Sequence, residues 1–457
     1  MASTQLSVST TSSGTRTKWT TSFWVKRCST GAEHSIFGSY LDNNNKDKIA
    51  FDSSDRLQFA SFQAGGYSNG GNLVTNRVFR DVNAWYHIVL RWDTNNSTAD
   101  DRMKIWVNGV EETSFSSRTN PTSGRESLIN YTTYTRVGSN GSSGNYLDGF
   151  LSHIHFCDNY TYSASDFGST DSTTGEWKIN TAPSVSYGTT GFWWLKDSIA
   201  TTDHSSNSNP FTVSAGTLTK TEDNPSNIFA TLNPLKTLGT TNRIISNGNT
   251  KFYTGTTHWG TMLSTLAFSS GKYYCEVKLD AIQASAGYGA LGITDATENY
   301  QSNDNIQQQS SFSAGCVTDH RSGQSACKVA GSTVSSGIGN FSNGDIVGIA
   351  ADMDNKALYL HKNGTYITVG GVTGVPTSGS SKTGALTIPA TCVDCMFSIS
   401  SYTSDATSSV NFGNGYFGTT AVSSAENPDD GIGIFEYDVP AGYRALCTKS
   451  INAEEYS

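Results

Sequence analysis

The sequence predicts an all-β protein made of two tandem antiparallel β-sandwiches, of the jelly-roll kind, and three observations predict it. Apolar and polar residues alternate along many short segments, and no stretch keeps a helical period over about ten residues. Asn-Gly, a dipeptide typical of tight hairpin turns, occurs seven times. The 457 residues exceed what one hydrophobic core usually serves, so two domains are expected.

The same order of elements is expected in each half. In the first half, the alternating segment WYHIVLRWD (85–93) is followed by a polar loop and MKIWVNG (103–109). In the second half, GDIVGIAADMD (344–354) is followed by a tight turn and KALYLHKNG (356–364). Each half therefore has a long strand, a turn, a second strand and an Asn-Gly hairpin tip.

A polar segment at 197–225, rich in Ser, Thr, Asn and Asp, separates the two halves. We place the boundary near residue 222, which gives domains of 1–222 and 223–457. Phe192–Leu195 is too apolar for a linker and is expected to be a late strand of the first domain. A short helical turn is expected at Ser163–Phe167, with Ser163 as its cap and Asp166 three residues later.

The net charge of −9 and the absence of Lys or Arg runs argue against a nucleic-acid partner. Met1–Lys18 is polar, and no segment is apolar enough to span a bilayer, so we expect neither export by the usual secretory route nor membrane insertion. The eight Cys form no dense framework, and Cys392–Cys395 is a single C-x-x-C. All eight are expected to be free or incidental.

The first half resembles a laminin-G-like domain of the concanavalin A-like lectin superfamily. Two further segments, Thr21–Lys26 and Gly149–Ile154, fit early and late strands of that family, and the resemblance covers roughly residues 1–196. The residues that carry it are Trp85, Tyr86, His87, Ile105, Val107, Asn108 and Gly109.

The second half resembles a SPRY domain over roughly residues 245–415. This resemblance rests on Gly271–Val277, on Gly344–Gly348, and on Asp352, Leu358, Tyr359, Lys362, Asn363 and Gly364. The resemblance implies that ligands dock on loops at one end of the sandwich, where Gln301–Ser313 and Thr373–Thr387 are the long polar candidates.

The order of the two modules resembles virion proteins of tailed bacteriophages, especially marine ones. The connecting segments SASDFGSTDSTTGEWKI (163–179) and NPSNIFATLNPL (224–235) and the closing VPAGYRALCTKSINAEE (439–455) fit the same group. The resemblance implies a protein of the virion surface that is assembled in the host cytoplasm. Its implied partners are other virion proteins, further copies of itself as a homo-oligomer, and host surface polysaccharide.

No catalytic set is recognisable in the sequence. Sandwich glycosidases of this superfamily carry paired carboxylates on one strand face, written E-x-D-x-x-E, and that pattern is missing. Glu111 and Glu112 point to opposite faces of a hairpin tip, and Glu276 stands alone between Tyr274 and Lys278. We therefore expect a protein that is not an enzyme.

Aromatic residues opposite the predicted core faces are the candidate glycan contacts. Trp24, Trp85 and Trp106 occupy such positions, and exposed indoles stack on sugar rings. His153 and His155 form an H-x-H on one strand face, opposite the apolar core face of Phe150, Ile154 and Phe156. The two histidines are expected to face solvent or a ligand, and a zinc site would need a third ligand. The alternative is that these rings are covered by other segments or lie at a subunit contact.

No cofactor is required by the sequence, although calcium stays open. Asp42 and Asp47 bound an oxygen-rich segment that offers ligands for a hard cation, and Asp93–Asp101, which includes Asp100, is a second one. Polar turns have the same composition without a metal.

Three functions follow from these patterns. The leading hypothesis is a non-enzymatic virion surface protein, a tail fibre, appendage or adhesin that binds host glycans. The alternative is a capsid or tail decoration protein with a purely structural role, and the third is a polysaccharide depolymerase, which would release sugar from polymer. No long shaft precedes Trp19, so attachment is expected through a domain face or through 441–457.

Overall fold

The computed structural model describes residues 3–8, 12–131, 135–141, 144–196, 199–239, 242–255, 258–282, 289–299, 306–319, 324–403 and 406–455. The chain forms two compact units, Met1–Lys220 and Thr221–Ser457. Nearly all regular structure is antiparallel β-sheet, so the predicted fold class is confirmed.

The first unit is a sandwich of an eight-stranded and a six-stranded sheet. Their strand orders are β10-β6-β5-β4-β3-β11-β1-β16 and β15-β12-β2-β7-β8-β9, and β13 and β14 form a separate hairpin. The strands are β1 (Gln5–Val8), β2 (Lys18–Arg27), β3 (His34–Asp42), β4 (Asn45–Phe51), β5 (Arg56–Gln63), β6 (Gly71–Val78), β7 (Trp85–Asp93), β8 (Met103–Val107), β9 (Val110–Glu111), β10 (Phe115–Thr119), β11 (Thr135–Val137), β12 (Gly149–Asp158), β13 (Gly168–Thr170), β14 (Trp177–Ile179), β15 (Phe192–Trp194) and β16 (Phe211–Ala215).

The second unit pairs a seven-stranded with a nine-stranded sheet. The first has the order β17-β20-β32-β22-β23-β24-β25, and the main path of the second is β18-β19-β33-β21-β26-β27-β28. The strands are β17 (Leu232–Gly239), β18 (Arg243–Ser246), β19 (Lys251–Thr254), β20 (Gly260–Ser264), β21 (Lys272–Ala281), β22 (Gly289–Asp295), β23 (Ala314–Thr318), β24 (Ala326–Val329), β25 (Ser332–Ser336), β26 (Ile346–Asp352), β27 (Ala357–Lys362), β28 (Thr365–Tyr366), β29 (Thr368–Val369), β30 (Val372–Thr373), β31 (Leu386–Thr387), β32 (Cys395–Ser401), β33 (Thr407–Asn411), β34 (Tyr416–Phe417), β35 (Thr420–Ala421) and β36 (Arg444–Ala445).

Helical structure is short. The α-helices are α1 (Tyr67–Gly70), α2 (Ile306–Gln309) and α3 (Thr448–Glu455), and 3₁₀ turns lie at Ala99–Asp101, Ala164–Asp166 and Pro376–Ser381. The predicted turn after Ser163 is confirmed, because the Ser163 main-chain N–H donates to Asp166 Oδ2 at 2.8 Å. The late strand predicted at Phe192–Leu195 is confirmed as β15.

Each sandwich buries the inward-facing residues of both sheets, as the alternating pattern predicts. In the first unit, Ile88, Leu90 and Trp92 of β7 face this core, and Trp92 stacks on Trp19 with ring centroids 6.2 Å apart. In the second unit, Val347 and Ile349 of β26 are among the inward-facing residues.

The two predicted Asn-Gly hairpin tips are confirmed and share one hydrogen-bonding device. Asn108 and Asn363 both have positive φ, as a type I′ turn requires. The Asn108 side-chain oxygen accepts the His87 main-chain N–H at 2.8 Å, while Asn108 N–H donates to the His87 carbonyl at 2.9 Å. Asn363 makes the same pair of bonds with Ile346, both at 2.8 Å. Each Asn thus closes the turn and ties it to the preceding long strand.

Gly109 is a sensitive position in the first of these turns. Its φ is +84°, and a Cβ would lie 2.3 Å from the Trp177 ring. We expect Gly109→Ala to lower the free energy of unfolding of the first unit by about 2–4 kcal/mol, through backbone strain and overpacking together. Gly124→Ala is the matched control, since Gly124 has φ +71° but open space around its Cβ. Equal losses in urea unfolding of the two variants would contradict the contact with Trp177.

A β-bulge corrects the predicted faces of β12. Ser152 pairs with Trp24 and His155 with Ser22, so β12 carries one residue more than β2 between these pairs. His153 adopts φ +47° at this point. As a result Phe150, expected on the core face, instead lies opposite Lys26, next to Trp85. The strict alternation assumed for Phe150 and the two histidines is therefore wrong.

The prediction that all eight Cys are free or incidental is contradicted at two of them. Cys392 and Cys395 form a disulfide that closes the C-x-x-C segment before β32. The carboxylate of Asp295 supports the same loop by accepting the main-chain N–H groups of Val393 at 2.7 Å and Asp394 at 3.1 Å. The other six Cys are buried.

Candidate functional site

The three predicted indoles lie on the outer face of the six-stranded sheet, away from the core, as expected. They are nevertheless buried: Trp24, Trp85 and Trp106 are only 4, 6 and 7% exposed. None of them offers an open ring face on which a sugar could stack. The expectation of an exposed tryptophan platform is therefore wrong.

The segment 159–191 covers much of this outer face and forms a second small core on it. Phe167 and Tyr187 pack there with Trp106, with Val89 of β7 and with Trp193 of the edge strand β15. Trp177 of β14 extends the same cover over His87, with ring centroids 5.8 Å apart. The alternative that both faces of this sheet are covered holds at these residues, because about thirty residues after β12 return over the sheet.

The histidines under this cover are neutral and fixed by their partners. Trp177 Nε1–H donates to His87 Nδ1 at 3.0 Å, so the His87 proton lies on Nε2 and points to Ser22 Oγ at 2.8 Å. Burial lowers the pKa of His87 to about 3.

The H-x-H pair does not form a metal site. His155 is buried, its Nδ1 lies 2.9 Å from the Tyr187 hydroxyl, and burial also lowers its pKa. His153 is only half-buried, with Nδ1 2.8 Å from Ser152 Oγ. In the residues that the structure describes, no three His, Cys, Asp or Glu side chains are grouped to hold a metal.

The four candidate calcium ligands lie in four unrelated surroundings. Asp42 is exposed and accepts the Asn44 N–H in the β3–β4 turn, whereas Asp47 is buried and accepts the N–H groups of Leu128 and Ile129. Burial raises the pKa of Asp47 to about 6.

Asp93 and Asp100 are likewise separate from one another. Asp93 ends β7 and is tied by its main chain to Arg102. Asp100 is exposed and lies 3.2 Å from Arg118. The arrangement of the four carboxylates does not support either predicted cation loop.

The carboxylates considered for catalysis are each held by other groups. Glu111 pairs with Lys104 at 2.7 Å, and Glu112 pairs with Arg77 at 2.9 Å. Glu276 is not isolated, as the sequence suggested, but lies at the centre of a buried hydrogen-bond network. It has no access to a substrate, since it is fully buried.

A different surface combines polar side chains with partly exposed rings: the outer side of β4, β5, β6 and β10 in the eight-stranded sheet, where Gln58 and Asn72 are 9 and 5% exposed. Register places Gln58 and Phe62 of β5 on this side with Asn72 of β6 and Ser117 of β10, and Tyr67 of α1 packs against them. We call these five residues the amide face.

The amide face is ordered by its own hydrogen bonds. Gln58 Nε2 donates to Asn72 Oδ1 at 2.8 Å and lies 3.4 Å from the Tyr67 hydroxyl. Asn72 Nδ2 donates to Ser117 Oγ at 3.1 Å. Phe62 and Tyr67 meet edge to face with centroids 5.0 Å apart. Two partly exposed rings thus border a fixed row of amide and hydroxyl groups, an arrangement suited to polyhydroxylated ligands.

One sequence signal pointed to this surface and was missed. In RLQFASFQ (56–63), Leu57 and Phe59 alternate with Gln58 and Ala60, so Phe62 falls on the polar side of the strand. An aromatic residue on the polar side is a candidate contact. The hydrogen bonds to Asn72 and Ser117 join three strands and could not be read from the sequence.

The second unit contains a groove of about 720 Å³ between the outer strands of its two sheets, which we call the edge groove. It is lined by Ser335–Gly339, Lys362–Asn363, Thr365–Thr368 and Gly371. The predicted docking loops do not line it: Thr373–Thr387 lies after Gly371, and Gln301–Ser313 extends partly beyond the described residues.

Residues 2–166 match the Laminin_G_3 family, described as the concanavalin A-like lectin/glucanases superfamily, which supports the laminin-G-like prediction for the first half. No curated protein matches the sequence significantly. No helix among the described residues is both long and apolar enough to cross a membrane.

Several solved structures are similar at low identity. The SPRY domain of human HERC1 is 14% identical, with 39% of this chain and 96% of that chain covered and a TM-score of 0.30. The TRIM65 PSpry domain is 10% identical, with 40% and 90% covered and a TM-score of 0.28. The heptameric SAP-like pentraxin from Limulus polyphemus is 17% identical, with 35% and 72% covered and a TM-score of 0.27.

Proposed function

We propose that this chain is a non-enzymatic surface protein of a tailed-phage virion that binds host surface polysaccharide through the amide face. The observation that carries the proposal is the row from Gln58 through Asn72 to Ser117, bordered by Phe62 and Tyr67. It lies within the segment that matches the lectin superfamily. The virion location rests on the sequence resemblance described above.

The chemistry of the amide face favours a saccharide. The exposed Ser117 hydroxyl is held in one orientation by the buried amides and can meet a sugar hydroxyl without a large ordering cost, and the partly exposed rings of Phe62 and Tyr67 can contact the apolar face of a sugar ring. Lys46 Nζ lies 5.4 Å from the Phe62 ring centroid and adds a cation at the same edge. An acidic polysaccharide is therefore the favoured ligand class.

The proposal is tested by binding of the full chain to a glycan array and to purified host surface polysaccharides. Phe62→Ala and Tyr67→Ala are expected to weaken binding by about tenfold or more, because each removes an aromatic contact. Tyr160→Ala is the matched control: Tyr160 is an exposed tyrosine of the same unit, on the segment after β12, and its loss is expected to leave binding unchanged.

Two results would overturn the proposal. One is glycan binding that Tyr160→Ala abolishes and the amide-face variants do not. The other is silence with every glycan together with tight binding to purified capsids or tails, which would favour the structural decoration protein. Release of reducing sugar from polysaccharide would instead establish a depolymerase, and mass spectrometry of purified virions tests the location.

A further inference from the structure

We propose that the edge groove binds an extended, uncharged polypeptide segment of another protein molecule, which adds to β25 as a new strand. This goes beyond the proposed glycan binding, because it concerns the second unit and a different class of ligand. The site is a groove of about 720 Å³, within the range of well-formed ligand sites.

Both walls of the edge groove end a sheet. β25 is the last strand of the seven-stranded sheet, and β28 is the last on the main path of the nine-stranded sheet. Among the described residues, β25 pairs only with β24. Every second residue of β25 therefore turns its main-chain N–H and C=O away from the sheet, which is the template that an added strand uses.

The charged and amide side chains of the groove are already engaged. Lys362 Nζ lies 3.1 Å from Asp345 and donates to the Asn340 carbonyl at 2.6 Å. The Asn363 amide bonds Ile346 and Asp345, both at 2.8 Å. At Gly337, Gly339 and Gly371 a Cβ would meet nothing within 4 Å, so main chain faces open space there. The groups left for recognition are therefore this main chain and the buried Tyr366 hydroxyl, which has no hydrogen-bond partner in the described part of the chain.

The groove also indicates the character of its occupant. Its one charged lining residue, Lys362, is neutralised by Asp345, which favours an uncharged segment. Val334 of β25 and Val372 do not line the groove but directly precede Ser335 and follow Gly371 of its lining. Each is 46% exposed, which favours β-branched or other apolar side chains in a segment that continues past the groove.

β25 also lacks two of the usual protections of an edge strand, although it has a third, a bulge at Val334. The sequence Ser332–Ser336 has no Pro and no charged residue. By contrast β17, at the other edge of the same sheet, contains Pro234 and Lys236. The register of β25 against β24 shifts at Val334, so this residue is not held by a β24 partner.

A saccharide fits the groove less well than a strand. The only aromatic residue of the lining is Tyr366, and its ring packs edge-on against His361, with centroids 5.4 Å apart. The side-chain amide that could contact a sugar belongs to Asn363 and is committed to the turn.

The test selects random peptides of about ten residues on the full chain and maps the bound peptide by hydrogen exchange. Uncharged, β-branched sequences are expected, with main-chain exchange at 332–336 slowed about tenfold or more. Val334→Lys is expected to weaken binding about tenfold or more, since an edge lysine blocks strand addition. The matched control is Val213→Lys on β16, an edge valine with 41% exposure, which is expected to leave binding unchanged.

Three outcomes overturn the inference. In the first, the selected peptides slow main-chain hydrogen exchange at other residues than 332–336. In the second, no peptide binds with a Kd below about 1 mM. In the third, an oligosaccharide mixture slows exchange at 332–339 and no peptide does. Thermal unfolding of both lysine variants shows that each is folded. Amide-face variants that lose glycan binding are expected to bind the selected peptides as before, so either proposal can fail without the other.

Discussion

Replacing Asp55 by Ala is expected to lower the free energy of unfolding of the first unit by about 3–5 kcal/mol. Arg27 is fully buried, and its Nη1 atom lies 3.0 Å from Asp55 Oδ1 and 2.7 Å from the Phe79 carbonyl. Its guanidinium also lies 4.6 Å from the Phe51 ring centroid. Without Asp55, this cation is left in an apolar surrounding with no counter-charge.

The measurement is urea unfolding of the full chain, followed by hydrogen exchange to assign the transition to the first unit. Asp55→Asn separates charge from shape, since Asn tolerates the φ of +66° at this position but carries no charge. Arg80→Ala is the control for the outer partner: Arg80 also contacts Asp55, at 3.0 Å, but is largely exposed, so a loss below about 1 kcal/mol is expected. Equal losses for Arg80→Ala and Asp55→Ala would refute a dominant Arg27–Asp55 pair.

Replacing Glu276 by Ala is expected to destabilise the second unit by about 3–5 kcal/mol. The main-chain N–H groups of Glu436 and Tyr437 each donate to its carboxylate at 2.9 Å, and Tyr274 does so at 3.1 Å. The Ala variant leaves these buried donors without an acceptor. Tyr274→Phe removes one donor only and is expected to cost about 1–2 kcal/mol by the same measurement.

The tautomer of His361 extends this network. Gly364 N–H donates to His361 Nδ1 at 3.1 Å, so His361 carries its proton on Nε2 and donates it to the Tyr274 hydroxyl at 2.6 Å. The Tyr274 proton then points to Glu276. Burial lowers the pKa of His361 to about 4, so this order of donors persists at neutral pH.

The Glu276 carboxyl group makes the stability of the second unit depend on pH. Burial raises the pKa of Glu276 from 4.5 to about 7, against the effect of its hydrogen-bond donors. The folded state therefore binds this proton more tightly than the unfolded state. The contribution of Glu276 to the free energy of unfolding is therefore complete below pH 4.5 and is lost as the pH rises through about 7. The Gln side chain in Glu276→Gln cannot titrate, so this variant is expected to remove the fall in the free energy of unfolding that urea unfolding measures between pH 5 and 8. An unchanged dependence on pH would assign the effect to other groups.

The strands that alternate over a long run could be predicted from the sequence, and so could the turns that Asn-Gly specifies. The faces of β7 and the tips at Asn108 and Asn363 follow from local chemistry alone. The bulge near His153 could not be predicted, because it depends on how β12 is paired with β2. One extra residue was enough to reverse the face assigned to Phe150.

The candidate site was harder to predict, for a related reason. Alternation shows which residues leave the core face, but it does not show whether another segment covers them. Trp24 and Trp106 leave the core face and are covered, whereas Phe62 leaves it and is not. Whether a segment folds back over a sheet depends on long-range packing, and the sequence near each strand carries little of that information.

The segment 159–191 that covers the six-stranded sheet bears on where the first unit ends. The match to the lectin superfamily stops at residue 166, before Trp177 and Tyr187 of this segment. The part of the unit that matches the family is thus shorter than the part that must be present for its sheet to be shielded from water. The family match and the folded unit therefore end at different residues. The end of the folded unit decides how much of the chain is expected to unfold in one cooperative transition.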